Sequence, residues 1–567
     1  MTSVVLLLTT LPATAQPAGA QSVPDSVTRQ NEAIERQLQE RLREDQRKAR
    51  EAAPFRVSPD IEQPVPIAVP EIGAACRDIR RVSITGTTRL APAVRQQIEQ
   101  EFSGRCLGVS DLEAILAKVT KSYIDGGFLT TRAYLPAQDL RSGILVIEVI
   151  EGTIENFQID SARRKALLAS GAFPVRPGDV LNLRDLEQGI DQINRLSSNS
   201  AELDIRPGSQ PGQSVVVIRN PSRTPVSLFL TSDNLGSEST GKISGAATVI
   251  FDSLLGLNEL IAITRRQSIP TSSVANAESN SLAVSAPWGY STFSMDYSES
   301  KYVSPVTLAS GATLLAEGNT TSQSIALNRV VFRDQTSRLS LSGKITTQDT
   351  KSFFAGQFLS VASRKLTYTD LAVSGFIAVP GGVINARAGF VQGLPILGGL
   401  DDPDNLPDDL PHARFRKLTL DLGFNRRLAI AGRPASWSTQ LSGQYALDTL
   451  YGSQQLLIGG VSSVRGFQKN TLSGDIGSFV RNEFSLPYRL DVGGMAAAGR
   501  AYVGYDIGAV RGRPSGTPQG TLSGMTLGTT FQIKAASLDL FASRPLTYPS
   551  TMTREPTQFG LRLSLSL

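Results

Sequence analysis

The chain has 567 residues, enough for several domains, with 40% hydrophobic residues and no apolar run of the roughly 18 that a membrane-spanning helix needs. Fifty-six basic residues against 51 acidic ones leave a net charge of +5, too weak an excess to indicate a nucleic-acid partner. One histidine and two cysteines exclude a zinc cluster and a histidine-based triad, so no catalytic residue, metal or cofactor is assigned.

Residues 1–20 read as an export signal. Residues 4–8 form its apolar core and Ala13, Thr14 and Ala15 offer a cleavage site, although the basic start of such a signal is missing. Residues 26–51 are dense in Arg, Glu and Gln and lack Pro and Gly, with Asp25 and Ser26 placed to cap a helix. Val27, Ile34, Leu38 and Leu42 make only a narrow apolar stripe, so the residues by themselves favour a free, solvated helix. Residues 52–75 carry Pro54, Pro59, Pro64, Pro66 and Pro70 and read as an extended linker.

Residues 76–151 mix both periodicities. A strand is expected over 79–85 and a helix over 92–102 with Pro92 in its first turn. Ser110 to Glu113 reads as a capping box for a second helix, whose inner face is Leu112, Ile115, Leu116, Val119 and Tyr123, ending at Gly126 and Gly127. Strands over 131–135 and 144–150 complete the unit. Residues 152–222 repeat the order: strand 154–159, short helix 163–170, a helix over 183–196 capped by Asn182, then strands 201–205 and 214–218. In an exported chain the even cysteine count predicts one disulfide, Cys76 to Cys106.

From 223 to 567 helical patterning disappears. Leu418, Leu420, Leu422 and Phe424 alternate with Thr419, Asp421, Gly423 and Asn425; the last strand alternates Phe559, Leu561, Leu563 and Leu565 with Gly560, Arg562 and Ser564. This period of two predicts an antiparallel barrel of about sixteen strands, lipid outside and water inside. The last strand should close it against residues 225–231, with Leu561, Leu563 and Leu565 facing lipid and Arg562 the lumen. On the strand with Ala501, Val503, Tyr505 and Ile507 facing outward, Asp506 must face the lumen. A lone lumenal carboxylate needs a cation. Arg465 in the preceding loop is one candidate, beside a salt bridge elsewhere. His412 follows an acidic, proline-rich stretch and reads as a solvated loop residue.

At these residues the chain resembles the outer-membrane transporters of two-partner secretion, the haemolysin secretion/activation type within the Omp85 superfamily. GRCLG (104–108), YIDGGFLTTRAYLPAQDL (123–140) and LNLRDLEQGIDQINRL (181–196) resemble its two POTRA domains. Val464, Arg465, Gly466 and Phe467 resemble the tip of its sixth loop, and Tyr505 to Gly508 resemble the wall strand that holds it. The resemblance implies an N-terminal helix over 21–51 that plugs the pore, POTRA domains at 76–151 and 152–222, and a barrel at 223–567. It also implies an ion pair between Arg465 and Asp506, with Gly508 beside it. The expected partners are an unfolded, β-helical exoprotein to be exported, outer-membrane lipid, and the barrel-assembly machinery during biogenesis. No enzyme activity is expected. The alternative within the superfamily is a protein that inserts other barrels. Many such barrels end in Phe, whereas this chain ends in Leu567, so the expected barrel-insertion signal is either weaker or displaced to Phe559.

Overall fold

An amphipathic strand in lipid must find a hydrogen-bonding neighbour on both edges, because no water is there to satisfy its backbone. The structure, a computed structural model, describes residues 23–51, 76–161, 169–221, 223–308, 310–514, 516–517 and 519–567. The predicted export signal and proline-rich linker lie outside these residues. From Val226 onward, sixteen strands pair antiparallel in chain order, and Gln558–Ser566 returns to Val226–Asp233 to close the cylinder. At the closure Leu565 lies opposite Leu230 and Arg562 opposite Asp233. Outward residues such as Leu418, Leu420 and Leu563 are exposed to the lipid side, while Arg562 and Asp506 are buried within. The wall is uneven. The first three strands and the last have 8, 9, 9 and 9 residues, whereas three on the far side have 17, 21 and 18.

Two α+β units precede the barrel. In the first, Arg81–Thr85, Ile144–Ile150 and Arg132–Tyr134 form a sheet with the parallel pair at one edge. Helices Pro92–Phe102 and Val109–Asp125 cover it and bury Ile98, Phe102, Ile115, Val119 and Tyr123 against Val82, Ile84, Leu145 and Ile147. Cys76 and Cys106 are bonded, joining the two strands of a separate short ribbon, Arg77–Ile79 with Arg105–Leu107. In the second unit Thr153–Ser161, Gln213–Asn220 and Glu202–Pro207 form the same three-stranded order, packed on helix Leu183–Asn194.

Several local expectations are corrected. The strand expected over 79–85 is two strands in different sheets, Arg77–Ile79 and Arg81–Thr85, because the Arg80 and Arg81 amides turn to the carbonyl of Gly143. The capping box is not Ser110 with Glu113. Helix Val109–Asp125 starts one residue earlier, and the Asp111 carboxylate accepts the Gly108 amide, so Ser110 already lies inside it. The N-terminal helix begins at Val23, which places Asp25 and Ser26 within its first turn instead of at its cap. The 183–196 helix stops at Asn194, where Asn182 caps its start by accepting the Arg184 amide. Most of the helix expected over 163–170 lies outside the described residues; Ala169–Ala172 is helical. His412 is not a solvated residue. Its amide donates to Thr449 and its Nδ1 lies 3.3 Å from Asp402, so the loop is pinned by both.

Candidate functional site

The lumen is occupied. Helix Val23–Glu51 runs through it from the extracellular end of the strands to the periplasmic mouth. It is buried, not solvated as its charges suggested. The apolar stripe is narrow because the helix meets wall on a few lines only: Ile34 and Leu38 pack on Ala277 and Tyr302, and Ala49 packs among Ile250, Leu260, Ala262 and Ala283. Its charges find counter-charges on the wall. Glu32 pairs with Arg364 at 2.7 Å and Glu44 with Arg562 at 2.8 Å. Asp45 takes both Nε and Nη2 of Arg266, at 2.6 and 2.8 Å. Arg41 pairs with Asp233, which also faces Arg266 at 3.3 Å and Arg562 at 3.5 Å. Three guanidinium groups and three carboxylates thus form one ion-pair cluster where the first and last strands meet, and Lys48 joins it through Glu44 at 3.1 Å. Polar satisfaction is incomplete along the helix: the Asn31 amide atoms, one Glu35 oxygen and the Tyr302 hydroxyl, and at the closure Arg41 Nε and Arg562 Nε, are buried without hydrogen-bond partners.

The loop over 447–475 folds back into the barrel as a short hairpin, Leu456–Ile458 with Leu472–Gly474. At its tip Arg465 grips the wall. Its Nε and Nη2 donate to the two oxygens of Asp506 at 2.6 and 2.9 Å, and its own amide donates to the same carboxylate at 3.1 Å. Its remaining Nη1 donates to Glu483 at 2.9 Å, and Glu483 also accepts from Arg500 at 2.6 Å. Such a bidentate, fully satisfied pair is the geometry that best repays desolvation. Val464 and Phe467 are buried beside it with Ile458, Leu472, Phe479, Val510 and Leu522. Gly466 has φ +104, a left-handed conformation that an L side chain rarely adopts. Two wall glycines make room for the tip: a Cβ on Gly504 would lie 2.2 Å from Arg465 Nη2, and one on Gly524 would lie 1.9 Å from the Arg465 carbonyl. Gly508, on the lumenal face with Asp506, stands against Phe479 and Val464.

The residues singled out in sequence therefore come together: Val464, Arg465, Gly466 and Phe467 at the tip, Asp506 and Gly508 on the wall. Glu483, Arg500, Gly504 and Gly524 were missed. Gly504 had a signal, since it shares the period-two face of Asp506. Asp233, Arg266 and Arg562 had none as a cluster, because the helix that joins them is distant in sequence.

The periplasmic mouth is covered by helix Leu183–Asn194. Gln188 and Gln192 donate to the Gly289 carbonyl at 3.3 and 3.1 Å, and Arg333 reaches Asp191 at 2.6 Å and Glu187 at 3.5 Å. Tyr290 donates to Asp185, whose carboxyl burial pushes up while that hydrogen bond pulls it back. Leu196, just past the helix, packs in the same cluster as Ala49 of the lumenal helix.

A closed barrel that holds its own N-terminal helix and an inward loop, and is fronted by two α+β units, defines an outer-membrane barrel of the Omp85 kind. The family model for the haemolysin secretion/activation protein ShlB/FhaC/HecB matches residues 212–531, and two POTRA models match 78–152 (ShlB-type) and 153–207. The chain belongs to this family of outer-membrane secretion proteins, whose POTRA domains are periplasmic. It is 30% identical over 544 residues to the hemolysin transporter protein ShlB of Serratia marcescens, covering 96% of this chain and 93% of that one. It is 29% identical over 543 residues to the outer membrane transporter CdiB of Dickeya dadantii, covering 95% and 93%. The solved structure of CdiB from Escherichia coli superposes with a TM-score of 0.84 at 29% identity, covering 97% of this chain and all of that one.

Proposed function

We propose that this protein conducts one unfolded exoprotein from the periplasm, through its barrel, to the cell surface. The observation that carries the reading is the occupied lumen. The helix is held mainly by polar and ionic contacts that water can replace, with only two small apolar contacts at Ile34 with Leu38 and at Ala49. Units 76–151 and 152–222 serve as the receiving domains, and the barrel from 223 as the conduit. Helix Val23–Glu51 is the removable plug, and Arg465 with Asp506 is the lock that sets the loop. An extended segment of the exoprotein adds to an exposed sheet edge of a receiving domain, where backbone hydrogen bonds supply affinity without demanding one sequence. Folding outside, as a β-helix in this reading, supplies direction. The barrel itself is inserted by the cell's barrel-assembly machinery. No bond is made or broken, and no residue is given a catalytic role.

Cells that express the chain with the exoprotein encoded beside its gene should display or release that exoprotein. Cells carrying only the exoprotein gene should retain it in the periplasm. Equal release from both would refute the reading.

A further inference from the structure

Three leucines stand out on the periplasmic side. The turn between the second and third barrel strands, Ser244–Asp252 and Leu260–Ser268, leaves Leu254, Leu255 and Leu257 56%, 72% and 49% exposed. The turn is rigid. The Glu259 carboxylate accepts the amides of Leu255 and Leu257 at 2.6 and 2.9 Å, and the Ser253 amide donates to the Glu259 carbonyl at 2.7 Å. Its polar groups face the second POTRA domain: Asp252 accepts from the Ser198 amide at 2.8 Å and the Ser197 hydroxyl at 3.0 Å, and the Asn258 carbonyl accepts from Arg195 at 2.8 Å. Asp252, Asn258 and Glu259 are buried by this packing, so the leucines are left on the opposite side.

That side continues the lipid-facing wall. Val249 and Phe251 on the second strand and Ile261 and Ile263 on the third alternate outward into the turn, while Ile250, Leu260 and Ala262 are buried inward. The wall above is polar. Arg265, on the outward face, donates to Asn280 at 3.0 Å, Gln267 at 2.8 Å and Glu278 at 3.2 Å. Below Arg265 the third strand offers lipid only Ile263 and Ile261, roughly 10 Å of apolar surface at about 3.3 Å per residue. An outer-membrane barrel needs an apolar band of about 25 Å. Strand register places the turn at the missing depth. Asp252 lies opposite Leu260, and Leu260 opposite Ser285. Trp288, 70% exposed on the outward face of the next strand, follows Ser285 toward the periplasm by the same few residues that separate the leucines from Asp252. An outward Trp at a strand end is the mark of the membrane interface.

We propose that the turn over 253–259 is a membrane anchor: Leu254, Leu255 and Leu257 lie in the periplasmic leaflet and complete the apolar band where the strands are shortest. The occupant is lipid, since the patch is continuous with the lipid-facing wall and lies at the depth of Trp288. On this flank the bilayer therefore sits low, with Arg265 and Glu278 at its outer headgroups.

The test uses the full-length chain reconstituted in phosphatidylcholine vesicles. Leu255→Cys is labelled with a polarity-sensitive fluorophore without reductant, so that Cys76 and Cys106 stay bonded. Lipids brominated near the headgroup end of the acyl chain should quench the label at least two-fold more than the same concentration of unbrominated lipid, and aqueous iodide should quench it little. Leu257→Cys provides a second, independent probe. Efficient iodide quenching with no response to brominated lipid at both positions would overturn the proposal. So would shielding from iodide that arises only when the exoprotein is added, since the patch would then dock polypeptide and not lipid. Neither result bears on whether the pore exports its partner.

Discussion

The Arg465 side chain is set by contacts that depend on its shape: two oxygens of Asp506, one of Glu483, and the space left by Gly504. Lysine could keep the charge but not the two-pronged grip. Arg465→Ala and Asp506→Ala should each lower exoprotein release at least ten-fold, and the double variant should be no worse than either, giving strong non-additivity in release assays. Each single variant leaves a buried charge unpaired and should loosen the loop, but the strand ladder that closes the barrel is untouched, so heat-modifiable gel mobility should stay normal. Additive losses would mean that the contact is not shared. At the closing strand the two faces give a sharper contrast. Leu563 faces lipid and Ser564 the lumen. Leu563→Arg should cost roughly 2–4 kcal/mol near the bilayer midplane and reduce the folded, heat-modifiable band, whereas Ser564→Arg should not. Equal behaviour of the two would reverse the assigned register.

The lumenal helix is held near the barrel closure by an ion-pair cluster, and Asn31, Glu35 and Arg41 still leave polar atoms without partners, so the proposed plug is not fully locked in. Removing 26–51 should therefore raise single-channel conductance several-fold in planar bilayers; unchanged conductance would count against a plug. In the first POTRA domain, the Cys76–Cys106 bond spans 30 residues and should contribute roughly 3 to 4 kcal/mol in the chain-entropy model. Thiol labelling of the denatured protein should find no free thiols before reduction and two after. These elements differ in how far sequence revealed them. The wall strands were legible because lipid outside and water inside enforce a period of two over many residues, as at Leu418 to Asn425. The luminal placement of Asp506 followed from the same rule. The place of the helix in the lumen followed from the family resemblance and not from its residues alone, because its composition resembles a solvated helix and the counter-charges Asp233, Arg266, Arg364 and Arg562 are far away in sequence. The Gly108 cap was missed for a local reason: a backbone amide received by Asp111 competes with the side-chain cap that Ser110 offered.

At the scale of the molecule, the second POTRA domain is clamped to the barrel, and its Leu196 touches the plug through Ala49. Arg333 joins that clamp by holding Glu187 and Asp191. Arg333→Glu should place like charges there and loosen the domain, seen as faster proteolysis around residues 183–194 with the barrel band unchanged. Protection equal to the parent chain would mean the other contacts suffice. How the domain sits on the barrel was not legible in sequence, because Gln188, Gln192 and Asp185 read as ordinary surface residues of an amphipathic helix. The cluster at the barrel closure carries one more consequence. In the proposed export step the helix withdraws, Glu44 and Asp45 leave together with Arg41 and Lys48, and the wall keeps Asp233 with both Arg266 and Arg562. Stripped of the helix's carboxylates, that stretch of the conduit would present Arg266 and Arg562 with Asp233 alone to balance them. Acidic segments of a passing polypeptide would pause there and basic ones would be hurried by, so the fitting that seals the resting pore would afterwards sort its cargo by sign.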